Sequence, residues 1–290
     1  MGFSPGGVAD VTARLAAQKL PELLGQQIVI ENRPGAAGAI ATERVAGSPP
    51  DGYTLLAMTA ADTVTPVLRL KLPYNLERDL APVALLALAP FVLVVHPSVP
   101  ARNVKELIAL ARAQPGKLSY GSVGIGTTPH LSAEALKVLA KIDIVHVPYK
   151  GGLDNVIATA GGQVDMVFAS MPSLTPLLGG STPRVRALAV TSAKRASFMP
   201  QLPTLNEAGV PGYDRSSWVG ILAPAAVPKD IVARLNAAFT KAVSTAETKD
   251  AFARQGLEPQ TITPVEFAAF ISGQLAQNAK LIQAIGIRPE

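Results

Sequence analysis

The sequence contains no cysteine and few aromatic residues, and both absences exclude classes of site. Without cysteine the chain has no disulfide framework, no thiolate nucleophile and no cysteine-ligated metal. Aromatic residues make up 5% of the 290 residues and the basic residues are scattered, so the pattern typical of nucleic-acid binding is missing. The formal charge of +5 favours anionic partners or an acidic surface in a general way.

The sequence also lacks a membrane-spanning run and a metal-ligand spacing. The longest apolar run, residues 81–95, contains two prolines and falls short of the roughly 20 residues that a membrane helix needs. It predicts two successive strands and no direct membrane insertion. The three histidines, His96, His130 and His146, are too far apart in sequence to suggest a shared metal ion. We therefore predict no metal and no cofactor.

The strongest functional signal is a glycine loop near the middle of the chain. A short run bounded by the apolar Leu118 and Tyr120 precedes Gly-Ser-Val-Gly-Ile-Gly-Thr-Thr-Pro-His at 121–130, and apolar positions in 131–140 keep helical spacing. This order predicts a strand, a loop and a helix. Glycines let backbone amides approach a ligand, and a helix start offers unpaired N–H groups, so the segment is predicted to bind an anion. A tight turn without a ligand is the alternative.

The same loop departs from three better-known patterns. Thr127 stands where a phosphate loop has its lysine, and the glycine spacing does not fit a dinucleotide fingerprint. Tyr120 occupies the position where a hydrolase elbow needs glycine. Ser122 is accordingly predicted to be a hydroxyl donor and not a nucleophile. Because no acid–base pair, activated nucleophile or cofactor motif is recognisable, we predict no catalytic residue.

A second loop of similar chemistry, Ser-Pro-Gly-Gly at 4–7, precedes the first predicted helix. Asp10 lies in the first turn of that helix, where it either caps the helix or meets a ligand ammonium group. Two anion-binding helix starts on different halves of the chain predict one ligand that contacts both. Tyr149 follows one predicted strand and Asp165 lies near the start of another, so both are candidates to line the site, although Asp165 could equally cap or pair within its lobe.

Alternating strands and helices predict an α/β fold with a mainly parallel sheet covered by helices. Strands are predicted at 28–30, 53–58, 144–147, 164–168, 185–191 and 217–222, besides the two in 81–95. Helices are predicted at 8–24, at 103–114, after 228 and in a long C-terminal segment. The length suits two lobes. We predict that residues 1–98 and 223–290 form lobe I and that residues 99–222 form lobe II.

Several motifs, spread in order over nearly the whole chain, resemble the tripartite tricarboxylate transporter receptors, the Bug-type periplasmic solute-binding proteins. They include Pro-Gly-Gly at 5–7, Glu-Asn-Arg-Pro-Gly-Ala at 31–36, Pro-Asp-Gly-Tyr-Thr-Leu at 50–55, Gly-Ser-x-Gly-x-Gly-Thr at 121–127, Val-Pro-Tyr-Lys-Gly at 147–151 and Gly-Gln-Val-Asp at 162–165.

The resemblance implies a two-lobed periplasmic binding protein of type II, a Venus flytrap in which each lobe is a mainly parallel sheet flanked by helices and the ligand lies between the lobes. It implies an extracytoplasmic receptor that binds a small carboxylate, either an organic acid or an amino acid, for import by the membrane components of a tripartite tricarboxylate-type transporter. Such a receptor is a monomer, binds no nucleic acid and is not an enzyme. A ligand-sensing receptor or an enzyme on the same scaffold is the alternative.

The resemblance also implies which residues contact the ligand. The carboxylate-binding set comprises Ser4, Gly6, Gly7, Ser122, Gly126, Thr127 and Thr128. Further candidate contacts are Phe3, Asp10, Thr59, Asp62, His130, Tyr149, Asp165, Phe168 and Ser170. If Asp62 or Asp165 lines the site, it would repel a second carboxylate, which favours a monocarboxylate or an amino acid.

Family members begin with a signal peptide and an apolar first strand, whereas only two residues precede Phe3 here. We expect a periplasmic protein whose sequence is trimmed or comes from an incomplete reading frame.

Overall fold

The computed structural model describes residues 1–69, 71–178 and 184–288, which form two compact units. Unit 1 comprises Met1–Ala89, Ser217–Ala253 and residues 257–288, and unit 2 comprises Pro90–Ser216 and Arg254–Gly256. The boundaries therefore lie at 89/90 and 216/217, several residues before the predicted positions 98 and 222. The α/β class predicted from the sequence is confirmed.

In chain order, the helices are α1 (Val8–Ala17), α2 (Leu20–Leu24), α3 (Ala39–Ala46), α4 (Thr65–Leu68), α5 (Leu76–Asp79), α6 (Val104–Ala113), α7 (Thr128–Ala140), α8 (Gly152–Ala160), α9 (Met171–Leu178), α10 (Lys229–Ser244), α11 (Ala246–Arg254) and α12 (Pro264–Ala284). The strands are β1 (Leu56–Thr59), β2 (Leu80–Ala89), β3 (Val92–Val95), β4 (Ser119–Ser122), β5 (Val145–Pro148), β6 (Met166–Ala169), β7 (Arg186–Val190), β8 (Ser217–Pro224) and β9 (Glu258–Pro259). Two 3-10 turns occupy Ala36–Gly38 and Ala60–Thr63.

The sheet of unit 1 has the order β1-β8-β2-β9, and its described pairs are all antiparallel. The prediction of a mainly parallel sheet is therefore wrong for these strands. Antiparallel neighbours need no crossover helix between them. Here β8 reaches unit 1 only after the chain has passed through unit 2, so the strand–helix alternation of the sequence says nothing about its direction.

Side chains of β8 alternate between two hydrophobic layers, as the two-residue period of a strand requires. Val219, Ile221 and Ala223 pack with residues of α1 and α10 on one face of the sheet, whereas Trp218 and Leu222 pack with residues of α3 and α12 on the other. Unit 1 is consequently a helix–sheet–helix sandwich with a core on each face.

The sheet of unit 2 has the order β5-β4-β6-β3-β7. Strand β4 runs parallel to both β5 and β6, while β3 is antiparallel to β6 and β7. The carboxyl ends of β4, β5 and β6 therefore meet at one edge of the sheet, which is where open α/β sheets bind ligands. Strand β3 belongs to this sheet, which explains why the first unit boundary precedes it.

Local sequence signals predicted some elements better than others. The two strands in 81–95 are confirmed, and so is the helix that begins after Asn103, whose side-chain oxygen accepts the Glu106 N–H at 2.9 Å. The helix predicted over 8–24 is instead two helices, because α1 ends at Ala17 and α2 begins with proline in its first turn. Residues 28–30, predicted as a strand, belong to no strand in the described structure.

Candidate functional site

A tight glycine turn joins β4 to α7 in unit 2. Gly124 has φ +116° and Gly126 has φ +80°, conformations that residues with a side chain rarely adopt. The Thr127 hydroxyl donates to the Gly124 carbonyl oxygen at 2.7 Å and so closes the turn. The strand, loop and helix predicted for this stretch are confirmed, with β4 ending at Ser122 and α7 beginning at Thr128.

The amino end of α7 is open to a negatively charged group. Amides in a first helical turn have no intrahelical acceptor, and here they include the N–H groups of Thr128 and His130. Pro129 between them contributes no N–H, and the first turn contains no acidic side chain to occupy the positive end of the helix. Gly126, Thr127 and Thr128 are each partly exposed. The geometry of this loop, named the anion loop (residues 123–128) below, suits a carboxylate.

Ser122 does not present its hydroxyl to solvent. Its side chain is fully buried, and its Oγ lies 2.7 Å from Nε2 of His146 and accepts the Gly124 N–H at 3.1 Å. The structure therefore argues against the predicted ligand contact, because the hydroxyl is engaged in holding the loop. The serine–histidine contact has the composition of a nucleophile and its base, but a side chain without exposure has no access to a substrate.

His130 is also turned inward and is not positioned as a ligand group. Its side chain is buried, and its Nδ1 accepts the Gly126 N–H at 3.3 Å. Burial, followed by the neighbouring His146, lowers the pKa of His130 to about 4. Burial also lowers the pKa of His146. From the sequence, His146 could be weighed only as a metal ligand. Its pairing with Tyr120 across β5 and β4 brings it next to Ser122.

Two more predicted contacts lie at the same sheet edge as the anion loop. Tyr149 follows β5, and its N–H donates to the Ser122 carbonyl oxygen at 2.8 Å. Its ring lies beside Gly121, where a Cβ would stand 3.4 Å from Tyr149 Cε2. Ser170 follows β6, with its Oγ 3.2 Å from Ser173 Oγ. Both Tyr149 and Ser170 are partly exposed.

Asp165 and Phe168 are not placed to contact a ligand at this edge. The Asp165 carboxylate accepts the Ser119 N–H at 2.7 Å and the Ser119 hydroxyl at 2.9 Å. Ser119 is the first residue of β4, about 10 Å along the strand from Ser122, so the carboxylate lies at the opposite end of the strand. Phe168 is 1% exposed in the interior of β6. Asp165 thus makes the internal contact that was the alternative prediction.

The loop at residues 4–7 in unit 1 is likewise fixed by a buried side chain. Ser4, Gly6 and Gly7 are exposed, and Gly7 is the N-cap residue of α1. The buried Asp10 carboxylate accepts the Gly6 N–H at 3.0 Å, and it also accepts from Arg14 and Asn32. The hydrogen bond from Arg14 is the main reason why the pKa of Asp10 falls to about 2. Asp10 therefore fixes the loop and leaves no oxygen for an ammonium group.

Thr59 and Asp62 form a closed capping box at the end of β1. The Asp62 carboxylate accepts the Thr59 N–H at 2.7 Å and the Thr59 hydroxyl at 2.9 Å, and both side chains are buried. Burial raises the pKa of Asp62 to about 6. The other Asp62 oxygen lies against Gly38, which is also next to the ring of Phe3. Of this group, only Phe3 is partly exposed.

Unit 1 also contains a cavity of about 800 Å³, lined by residues 26–31 and by residues of β1, β8 and α10 among others. Apolar side chains such as Ile28, Leu55, Ile221 and Phe239 line it, and none of the predicted ligand residues does. It is therefore separate from the loop at residues 4–7.

Within residues 1–69, 71–178 and 184–288, no cluster of three or more histidine, aspartate and glutamate side chains could hold a metal ion. None of the helices described in these ranges is long and apolar enough to cross a membrane.

Comparisons with known proteins point to one family. The sequence profile described as "Tripartite tricarboxylate transporter family receptor" matches residues 12–287. The "UPF0065 protein in tcbD-tcbE intergenic region" of Pseudomonas sp. (strain P51) is 37% identical over 97% of this chain and 83% of its own length. Protein BugT of Bordetella pertussis is 33% identical over 99% of this chain and 88% of its own length.

Two solved structures contain bound acids. R. palustris Rpa4515 with adipate is 36% identical, covers 100% of this chain and 96% of its own, and superposes with a TM-score of 0.82. MatC from Rhodopseudomonas palustris with bound malate is 30% identical, covers 97% of this chain and 96% of its own, and gives a TM-score of 0.76.

Proposed function

This chain belongs to the tripartite tricarboxylate transporter receptor family, and from that premise we propose that it binds a small carboxylate and delivers it to the membrane components of a tripartite importer. The members of this family are periplasmic solute receptors. The observation that carries the proposal is the open amino end of α7 at Thr128, with no acidic residue in its first turn. We propose that the ligand leaves chemically unchanged.

The anion loop can supply the needed affinity without a cationic side chain. A hydrogen bond to a charged group contributes roughly 1.5–3 kcal/mol, and a helix amino end contributes roughly 0.3–1 kcal/mol. A micromolar complex needs about 8 kcal/mol. Four or five such contacts, made by the anion loop together with other groups, amount to roughly 6–15 kcal/mol before the costs of association, so the required affinity does not demand a cationic side chain.

Each unit has one exposed loop at a helix start that is suited to a carboxylate. In unit 1 the loop residues proposed to contact the ligand are the exposed Ser4, Gly6 and Gly7 ahead of α1, with Phe3 beside them. In unit 2 they are Gly126, Thr127 and Thr128. The exposed faces of both loops carry no acidic side chain, since Asp10 is buried behind the first loop. Tyr149 and Ser170 are the proposed contacts beyond the shared carboxylate.

The structure removes the reason for favouring a monocarboxylate. That preference depended on Asp62 or Asp165 facing the ligand, but both carboxylates are bonded internally, to Thr59 and to Ser119. Two relatives have adipate and malate bound, and both molecules are dicarboxylates. Small dicarboxylates are therefore the first ligands to test.

A thermal-shift and calorimetric screen with mono-, di- and tricarboxylates, including adipate and malate, tests this function. Thr128→Asp adds a negative charge where the ligand carboxylate is proposed to bind, and two like charges 4 Å apart repel by about 1–4 kcal/mol. The affinity should fall by roughly five- to a thousandfold. The helix itself should be slightly stabilised, because an acidic residue is favourable at that end. Thr128→Ser is the matched control and should bind like the wild type.

Ser4→Asp tests the contribution of unit 1 in the same way, with Ser4→Thr as its control. Equal affinity in Thr128→Asp and in the wild type would refute the proposed site. Analysis of the ligand by NMR after prolonged incubation tests whether it is returned unchanged, and any conversion would favour an enzyme.

A further inference from the structure

Two histidines hold the anion loop from inside unit 2. His146, on β5, shares a hydrogen bond of 2.7 Å between its Nε2 and Ser122 Oγ, at the start of the loop. His130, in the first turn of α7, accepts the Gly126 N–H at 3.3 Å through Nδ1, near the end of the loop. The two rings meet edge to face with their centres 4.7 Å apart. One continuous pair of rings thus contacts both ends of the turn.

The surroundings of this histidine pair favour neutral rings. Tyr120 stacks on His146 with the ring centres 5.0 Å apart, and its hydroxyl donates to Glu134 at 2.6 Å. Lys137 donates to the same glutamate oxygen at 2.9 Å. These are the charged and titratable groups that face the pair in the described structure. The Glu134 charge is already matched by Lys137, while burial opposes a positive charge on both imidazoles and the neighbouring His146 opposes it further at His130.

The hydrogen bond to Gly126 exists only while His130 Nδ1 is unprotonated. A protonated imidazole donates from both nitrogens, so Nδ1–H would then face the Gly126 N–H. The turn would lose this anchor and place two donors against each other. Gly126 has φ +80° and immediately precedes the N-cap of α7, so its position helps to set how the Thr128 amide is presented.

We propose that His130 and His146 are positioning residues that hold the anion loop in its binding conformation, and that His130 does so only while its ring is neutral. This rests on the proposed function, because it makes carboxylate affinity depend on two side chains that do not touch the ligand. Acidic conditions that protonate His130 release Gly126 and lower the affinity of the loop.

Hydrogen exchange of the Gly126 amide in the ligand-free protein tests whether His130 holds the loop. His130→Phe keeps a ring but removes the acceptor, whereas His130→Asn keeps an acceptor close to the Nδ1 position and does not titrate. The protection of Gly126 should fall roughly three- to tenfold in His130→Phe, as expected for one hydrogen bond. It should be restored in His130→Asn. The Tyr149 amide, bonded to the Ser122 carbonyl oxygen, is the internal control and should not change.

The pH dependence of Gly126 protection distinguishes a positioning role of His130 from a role in packing alone. In the wild type, Gly126 protection, corrected for intrinsic exchange, should fall as pH drops through about 4, whereas in His130→Asn it should stay constant. The NMR signals of the His130 ring should titrate over the same range. A wild-type level of protection in His130→Phe, or a shared pH profile for His130→Asn and the wild type, would overturn the proposal.

The affinity for adipate tests whether the two histidines influence ligand binding. His130→Phe and His146→Phe should both bind adipate more weakly at pH 7, while His130→Asn and His146→Gln should bind more tightly than the corresponding phenylalanine variants. Unchanged affinity in both phenylalanine variants, with binding still lost in Thr128→Asp, would overturn the positioning role and leave the proposed function intact. If the wild type binds no carboxylate, the proposed function fails, whereas the exchange experiment still reports on the loop.

Discussion

Replacing Asp10 with alanine should destabilise unit 1 far more than removing the arginine with which it is paired. The carboxylate accepts from Gly6 N–H and Asn32 Nδ2, each at 3.0 Å, and both bonds are to a buried charged acceptor. At roughly 1.5–3 kcal/mol each, they amount to about 3–6 kcal/mol. The Arg14 side chain is 48% exposed, so its ion pair with Asp10 is worth at most about 1 kcal/mol.

The assay is urea unfolding followed by the fluorescence of Trp218, which is the single tryptophan of the chain and lies in the core of unit 1. Asp10→Ala should lose about 3–6 kcal/mol and Arg14→Ala about 1 kcal/mol or less. The pKa of Asp10 is lowered to about 2, so its stabilisation is complete above the usual value of 3.8 and disappears as pH falls through 2. Equal costs for the two variants would refute the argument, because the ion pair and not the buried hydrogen bonds would then dominate.

For three other perturbations, the structure determines whether stability should rise or fall. The lowered pKa of His130 means that wild-type stability should fall by about 3 kcal/mol between pH 7 and pH 4 relative to His130→Asn, measured by urea unfolding and circular dichroism. Asp62 has a raised pKa, so its stabilising neutral form is complete below pH 3.8 and lost as pH rises through about 6. Relative to Asp62→Asn, the wild type should therefore lose about 3 kcal/mol between pH 4 and pH 8, followed by Trp218 fluorescence. Gly38→Ala would force a Cβ onto Asp62 Oδ1 and should cost about 2–4 kcal/mol in the same assay. Gly273→Ala, in open space on α12, should instead be neutral or stabilising by up to about 1 kcal/mol.

Features that depend on neighbouring residues in the chain could be predicted from the sequence. The strand, turn and helix around Gly124 and Thr128 follow from glycine conformations and helical spacing within about 20 residues. The cap at Asn103 and the proline-interrupted strands at 81–95 are local in the same sense. Each of these signals acts on backbone conformation, which depends largely on the residues of the same short segment.

Features that depend on residues far apart in the chain could not be predicted. The antiparallel direction of β8 is set by a return from unit 2 and has no local signature. Asp165 bonds to Ser119, 46 residues away, and Ser122 meets His146, 24 residues away. In both cases a polar residue at a strand end was expected to face a ligand, whereas a partner on the adjacent strand had already engaged it. Single-sequence patterns do not contain that pairing.

The two loops share a construction that explains why their motif residues divide into two roles. Behind the unit 1 loop, a buried carboxylate at Asp10 accepts the amide of Gly6, and behind the anion loop a buried imidazole at His130 accepts the amide of Gly126. Each acceptor orients the turn from inside and leaves the exposed face to a ligand. The inner side must be an acceptor because it binds a backbone N–H, and the outer side must lack acidic groups if it is to bind an anion. A sequence motif contains both kinds of residue without marking which is which, and only burial separates them.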